Sequence, residues 1–103
     1  MTQRPARSLD EMPTRDEVLA LSGQAFIEAI RDGRLAGPPI SGVMNIHVHA
    51  VERGCVTFRG TPQFVHLNPM SGVHGGWYGT ILDSALACAI STVLDPGVGQ
   101  TTL

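Results

Sequence analysis

One carboxylate stands alone in the C-terminal part of the chain. Asp83 lies between Leu82 and Ser84 in an apolar stretch, and residues 60–103 contain no Lys or Arg that could pair with it. A carboxylate in apolar surroundings is costly unless it is hydrogen-bonded or functional. Asp83 is therefore the strongest candidate for a general base or nucleophile, and a hydrogen bond to Thr80 or Ser84 is the purely structural alternative.

The pair Gly75-Gly76 stands at the predicted start of a long helix. The first backbone N–H groups of a helix have no partner within it, and the helix dipole adds partial positive charge there. Such groups can bind an anion or the oxyanion of a reacting carbonyl, although two glycines can equally serve a close backbone approach. His66, Asn68 and His74 lie in the preceding loop, where they could bind or orient a substrate.

The remaining histidines and the cysteines give no comparable signal. His47 and His49 alternate on one predicted strand, but two imidazoles without further ligands at a fixed spacing do not predict a zinc site. Cys55 and Cys88 lie outside any CxxC spacing. The chain has no Lys, which excludes a Schiff-base lysine and a P-loop lysine. We therefore predict no metal site from these residues.

The helical spacing of Gly75 and Asp83 constrains any site that uses both. They are eight residues apart, which at about 1.5 Å per residue separates them by about 12 Å along a helix axis. One bound carbonyl cannot contact both, so we expect Gly75 of one chain to face Asp83 of another, across a two-fold axis. A homodimer or homotetramer with the active site at the dimer interface would also cover the weakly charged C-terminal half, where Asp83 and Asp95 are the only charged side chains after Arg59.

The N-terminal part of the chain predicts a helix and a hairpin. Residues 1–13 show no periodicity and are predicted to be a mobile arm. Thr14 and Glu17 form a capping box for an amphipathic helix over residues 14–32, with a break at Ser22-Gly23 as an alternative. An extended run then leads into alternating residues from Val43, a turn at residues 52–54 and a returning strand.

The C-terminal part predicts a central helix. Residues 77–94 are apolar around the whole circumference, which favours a helix that is buried on most sides, and Asp95-Pro96 ends it. Residues 98–103 are predicted to begin a third strand. Together these elements predict an α+β architecture in which an antiparallel sheet wraps a central helix. Because so few strands cannot cover that helix, we expect residues 1–103 alone not to form a stable, soluble monomer.

The loop and the helix together resemble a known family. The run from His66 to Gly76, HLNPMSGVHGG, is followed by Asp83 nine residues after His74. This order and spacing resembles the PaaI-like hotdog-fold acyl-CoA thioesterases, over roughly residues 20–103. The resemblance implies that residues 14–103 are the N-terminal and central part of a single hotdog domain, because such a domain needs further strands after the central helix, so we expect the sequence to be incomplete at the C-terminus. It also implies hydrolysis of aryl-acetyl-CoA or fatty acyl-CoA thioesters to the free acid and CoA, without a cofactor.

The resemblance also implies residue roles. Asp83 would act as nucleophile or as general base on water, and the Gly75 amide would support the thioester oxyanion. Asn68 and His74 would position the thioester and the water, and Thr102, or alternatively Thr101, would hold that water. The residues expected to contribute to substrate binding are His66, Gly76 and Thr101.

Two other functions fit the same residues. A hotdog dehydratase or hydratase would use His66 and Asp83 on a β-hydroxyacyl thioester, and a non-catalytic acyl-CoA-binding module would leave Asp83 structural. A net charge of −2 without a basic run predicts no nucleic-acid partner. Without a long uninterrupted apolar stretch or an N-terminal leader, we expect a soluble, cytoplasmic protein that does not enter the membrane.

Overall fold

The chain folds as an α+β structure with four helices and one two-stranded antiparallel sheet over residues 3–102, which are the residues that the computed structural model describes. The elements are α1 (Arg15–Ala20), α2 (Gly23–Arg31), α3 (Pro39–Met44), β1 (Ile46–Glu52), β2 (Cys55–Gly60) and α4 (Gly75–Ser91). Short 3-10 turns form at Leu9–Glu11 and Phe64–His66. The predicted α+β class is confirmed.

The predicted capping box is present at the start of α1. The Glu17 N–H donates to the Thr14 hydroxyl oxygen at 3.2 Å, and the Thr14 N–H donates to the Glu17 carboxylate at 2.9 Å. Ser22 then caps a second helix by accepting from the Ala25 N–H at 3.1 Å. The predicted helix over residues 14–32 is therefore two helices, broken where the sequence offers a second cap.

The predicted hairpin is confirmed over β1 and β2. Val48 pairs with Phe58, and a bulge between Val48 and Ala50 shifts the alternation so that Val51 is buried with Val48. Gly54 turns the chain with φ 78°, a left-handed conformation that favours glycine. The buried core of Ile27, Val48 and Val51 packs against partly buried side chains, namely Phe26, Val56, Phe58 and Cys88.

The approach to the hairpin differs from the prediction. The predicted extended run and the strand start at Val43 are wrong, because residues 39–44 form α3. Pro39 occupies the first helical turn, where its fixed φ and missing N–H cost nothing. Asn45, with φ 53°, then redirects the chain into β1.

The N-terminal residues predicted to be a mobile arm are docked from Gln3 onward. The Ala6 N–H donates to the Gly37 carbonyl at 2.8 Å, and the Gly37 N–H donates to the Arg4 carbonyl at 2.8 Å. The Gln3 carboxamide donates to the Val48 carbonyl and accepts from its N–H, each at 3.1 Å. Backbone pairing of this kind needs no side-chain periodicity, so the sequence carries no signal for it.

The long helix α4 is more exposed than predicted. It packs on β2 and α2, yet Trp77 is its one buried residue within the described chain. Tyr78, Leu82, Leu86 and Ile90, which recur every four residues, are 49–66% exposed. Burial on most sides was a wrong expectation because two strands cover only one side of the helix.

The predicted third strand does not form within the described residues. Residues 98–102 have no regular structure, and Leu103 lies outside the part that is described. None of the helices in residues 3–102 combines the length and the hydropathy that crossing a membrane requires.

Candidate functional site

The two glycines at the N-terminus of α4 differ in their backbone hydrogen bonding. His74 is the N-cap, and its Nδ1 accepts from the Gly76 N–H at 2.8 Å. The Gly75 N–H makes no hydrogen bond to any residue in 3–102, and Gly75 is exposed. Among the residues that the structure describes, Gly75 therefore carries the one free N–H at this helix end, whereas the amide of Gly76, which we expected to bind substrate, is already occupied.

His66 is a buried structural residue. It is 7% exposed, its Nδ1 accepts from the Gln63 N–H at 2.8 Å, and its Nε2–H donates to the Val43 carbonyl at 2.7 Å. An acceptor role for Nδ1 fixes the proton of a neutral ring on Nε2. Both ring nitrogens are used, so the expected substrate contact of the His66 side chain is corrected to an internal one.

The first turn of α4 is tied to the preceding elements by two further bonds. The His74 N–H donates to the His66 carbonyl at 2.8 Å. The Trp77 indole N–H donates to the Met44 carbonyl, at the end of α3, at 2.7 Å. Trp77 also packs edge to face against Tyr78 with ring centroids 5.3 Å apart. These contacts fix where the free Gly75 amide lies.

An open cleft of about 460 Å³ lies beside this helix end. Its apolar walls are Val43, Met44, Val65, Leu67 and Trp77, and its polar members are His66, His74, Gly76 and Thr80. The Thr80 hydroxyl donates to the Gly76 carbonyl at 2.8 Å. Sequence reasoning missed Trp77 and Thr80 as cleft residues; their positions three residues after His74 and one helical turn after Gly76 were the available signals.

Asn68 organises the loop beneath the cleft. Its Oδ1 accepts from the Met70 N–H at 2.9 Å and from the Gly72 N–H at 3.1 Å. Its backbone N–H donates to the Gly72 carbonyl at 2.8 Å. The Nδ2 donors have no hydrogen bond within residues 3–102, so they are the part of Asn68 that remains free to orient a ligand.

The structure does not bring Asp83 into the cleft. Asp83 is exposed in the middle of α4, about 12 Å from Gly75 along the axis. It makes no hydrogen bond or ion pair with the described residues, so neither Thr80 nor Ser84 satisfies it. The expected desolvation of Asp83 is absent from the isolated chain because the face around it is uncovered.

Thr101 and Thr102 also lie outside the cleft. They are exposed and follow Gln100, whose side-chain amide donates to the Ala87 carbonyl of α4 at 3.5 Å. Ala87 is one helical turn beyond Asp83. Gln100, which precedes the two threonines, thus contacts the C-terminal half of α4, away from Gly75.

The remaining candidate ligands and nucleophiles are dispersed. In residues 3–102 no three His, Cys, Asp or Glu side chains are placed to hold a metal ion. His47 and His49 are exposed on β1. Burial raises the pKa of the Cys88 thiol to about 11, so it packs as a small apolar side chain, as predicted.

Comparison with known proteins adds no relative to this picture. No family model, no curated protein and no solved structure matches the chain.

Proposed function

We propose that this chain is an acyl-CoA thioesterase of the PaaI-like hotdog type, in which the Gly75 N–H binds the thioester oxyanion. The observation that carries the proposal is the difference in hydrogen bonding between two backbone N–H groups at the start of α4. His74 caps Gly76, while the Gly75 N–H remains free and exposed at the end of a 17-residue helix. A fixed N–H at a helix N-terminus stabilises negative charge that develops on a carbonyl oxygen.

The cleft supplies groups for the rest of the substrate. Because His74 Nδ1 accepts from Gly76, a neutral His74 carries its proton on Nε2 and can donate it to the thioester or to water. The apolar walls suit an acyl or aryl chain. Hydrolysis adds water across the thioester, so the C–S bond breaks and CoA leaves as the thiol.

Asp83 is proposed as the nucleophile or general base. It has no partner among the described residues that would give it a structural role. Its distance from Gly75 requires that a second copy of the chain, aligned antiparallel along α4, supply the carboxylate to each site. The exposed apolar side chains of α4 are consistent with such a contact.

The alternative functions receive less support. A dehydratase that used His66 as its base would need a free ring nitrogen, and both nitrogens of His66 are engaged. A binding module that kept Asp83 for structure would need a partner for Asp83, and the described residues offer none. Thioester hydrolysis is the function that uses the free groups as they stand.

Two substitutions at Gly75 provide the test. Gly75→Pro removes the N–H at the first helical position, where proline is favourable, and His74 already has the extended backbone (ψ 135°) that precedes a proline readily. Gly75→Ala keeps the N–H, and an added Cβ meets no atom within 4 Å. The assay is thiol release from a panel of acyl-CoA and aryl-acetyl-CoA substrates.

We expect Gly75→Pro to lower kcat by about 10²–10³, the usual loss for one oxyanion donor, while Gly75→Ala stays close to wild type. The loss should fall on kcat more than on KM, because the bond strengthens in the transition state. Equal activity of the two variants would contradict the oxyanion role. No thiol release from any substrate would contradict the proposed function.

A further inference from the structure

His66 joins three segments that meet at the start of α4. Through its ring it binds the Gln63 N–H of the 3-10 turn and the Val43 carbonyl of α3, at 2.8 and 2.7 Å. Through its backbone carbonyl it accepts from the His74 N–H at 2.8 Å. The residue that caps α4 is therefore held by a residue whose own position depends on both ring nitrogens.

One other polar contact links α3 to the same helical turn. The Trp77 indole donates to the Met44 carbonyl at 2.7 Å, and the His66 and Trp77 rings are 6.4 Å apart. Without the His66 ring, that bond alone would connect the turn to the end of α3. His74, and with it the orientation of the neighbouring Gly75 amide, would then be less restrained.

The His66 contacts require one protonation state. The ring must accept at Nδ1 and donate at Nε2, which only the neutral Nε2–H tautomer does. A proton on Nδ1 would face the Gln63 N–H, donor against donor, across a 2.8 Å contact.

Within residues 3–102, no carboxylate lines the cleft to compensate an imidazolium at this position. His74, from α4, is the other titratable side chain among the lining residues. α3 presents the Val43 and Met44 carbonyls to this region, and the 3-10 turn presents the Gln63 N–H. An imidazolium would therefore lose one hydrogen bond and gain no counter-charge.

We propose that His66 is the positioning residue of the Gly75 site and that it holds the site only while its imidazole is neutral. Acidification breaks the contact between the ring and Gln63, leaves the 3-10 turn held by its backbone hydrogen bonds alone and loosens the His74 cap. The effect on hydrolysis rests on the proposed function. The structural step, which is the loss of the Gln63 contact and of the restraint on His74, does not.

Amide NMR of the ¹⁵N-labelled chain, titrated from about pH 8 to about pH 5, tests the structural step. The amide that reports on the cap belongs to His74, whose own imidazole accepts from Gly76, so the reference variant is His74→Asn, which keeps a capping acceptor without an imidazole. In that variant we expect the Gln63 amide and the residue 74 amide to shift together with one midpoint. His66→Gln should abolish the joint shift, because its amide can still donate to Val43 but does not titrate.

Hydrogen exchange gives the size of the effect. For one lost hydrogen bond we expect the protection factor of the residue 74 amide, its exchange rate compared with the intrinsic rate at the same pH, to be about two- to tenfold lower in acid than at neutral pH. His66→Phe should show low protection at every pH. If the Phe variant does not fold, His66→Gln serves instead and should show an intermediate protection factor that does not depend on pH. His47→Gln, at an exposed position of β1, is the matched control and should leave the joint shift unchanged.

Activity separates this inference from the proposed function. If the chain hydrolyses thioesters, we expect the kcat of the wild type to fall as the pH is lowered through the midpoint of the amide shift. His66→Gln should remove this fall in kcat with little change in KM. A joint amide shift without any hydrolysis supports the role of His66 and contradicts the thioesterase proposal. The inference is overturned if the joint shift of the Gln63 and residue 74 amides persists in His66→Gln, or if the kcat of this variant still falls in acid.

Discussion

The ends of α4 and its middle are held in different ways. At the N-terminal end, His74 and Trp77 bind the preceding loop and α3 through hydrogen bonds of 2.7–2.8 Å. At the C-terminal end, the buried Thr92 hydroxyl accepts from the Gly54 N–H of the hairpin turn and donates to the Ala89 carbonyl, each at 2.7 Å. Between them, Leu82, Asp83 and Leu86 are exposed.

Under the proposed function, this difference means that one chain supplies only part of each site. The proposed oxyanion donor belongs to a fixed end, where the Gly76 N–H and both ring nitrogens of His66 are satisfied internally. The proposed catalytic carboxylate belongs to the uncovered middle, among apolar side chains that gain free energy when a second surface covers them. The predictions below test this contrast, beginning with the largest expected effect.

The largest effect is expected at the uncovered middle. Asp83→Asn should lower kcat for thioester hydrolysis by at least about 10², the low end for loss of a general base. The fold should be unchanged because Asp83 is exposed and unbonded within the described residues. Asp95→Asn, which changes an exposed acid beyond the end of α4, is the matched control. Unchanged kcat in Asp83→Asn would contradict the catalytic assignment.

The same variant tests whether two chains share each site. Mixing Asp83→Asn chains with Gly75→Pro chains should restore part of the activity, because some mixed dimers hold one intact site. Subunit exchange is verified by mass-labelled chains before the assay. No recovery after verified exchange would argue for sites that lie within one chain.

A smaller effect is expected where α2 crosses the C-terminal end of α4. A Cβ at Gly23 would lie 1.7 Å from the Ser91 carbonyl oxygen, so Gly23→Ala must push the helices apart. We expect a loss of about 1–3 kcal/mol in the free energy of unfolding by urea. Gly79→Ala, with open space around its Cβ, should gain up to about 1 kcal/mol from helix propensity. Similar stabilities for both variants would refute this close approach.

The smallest effect is expected at α1, which provides a baseline remote from the cleft. The Thr14 backbone N–H, together with its side chain, lowers the pKa of the exposed Glu17 carboxyl. The ionised form therefore favours folding above the unfolded pKa of about 4.3, and this contribution is lost as pH falls through the lowered folded value. Melting curves of wild type and Glu17→Gln should differ slightly at neutral pH and converge near about pH 3. A difference between the two melting temperatures that stays the same at every pH would contradict a stabilising role of ionised Glu17.

Residue patterns over a few neighbouring positions were enough to predict several caps and turns. The Thr14 capping box, the Gly54 turn and the start of α4 after His74 each depend on residues within four positions of one another. The α3 helix was missed because Val43, Met44 and Ile46 suggest a strand, while a single proline at the first helical position decides otherwise.

The sequence by itself determined the caps, the hairpin and the choice of Gly75 and Asp83 as candidates, because residue type and short spacing fix hydrogen-bonding partners nearby. Only the tertiary structure decided that the His66 ring is internal and that Trp77 is fixed to the end of α3. Those outcomes depend on Val43, 23 residues from His66, and on Met44, 33 residues from Trp77. Contacts between segments so far apart leave no periodic trace in the sequence, since each requires the chain to have folded first.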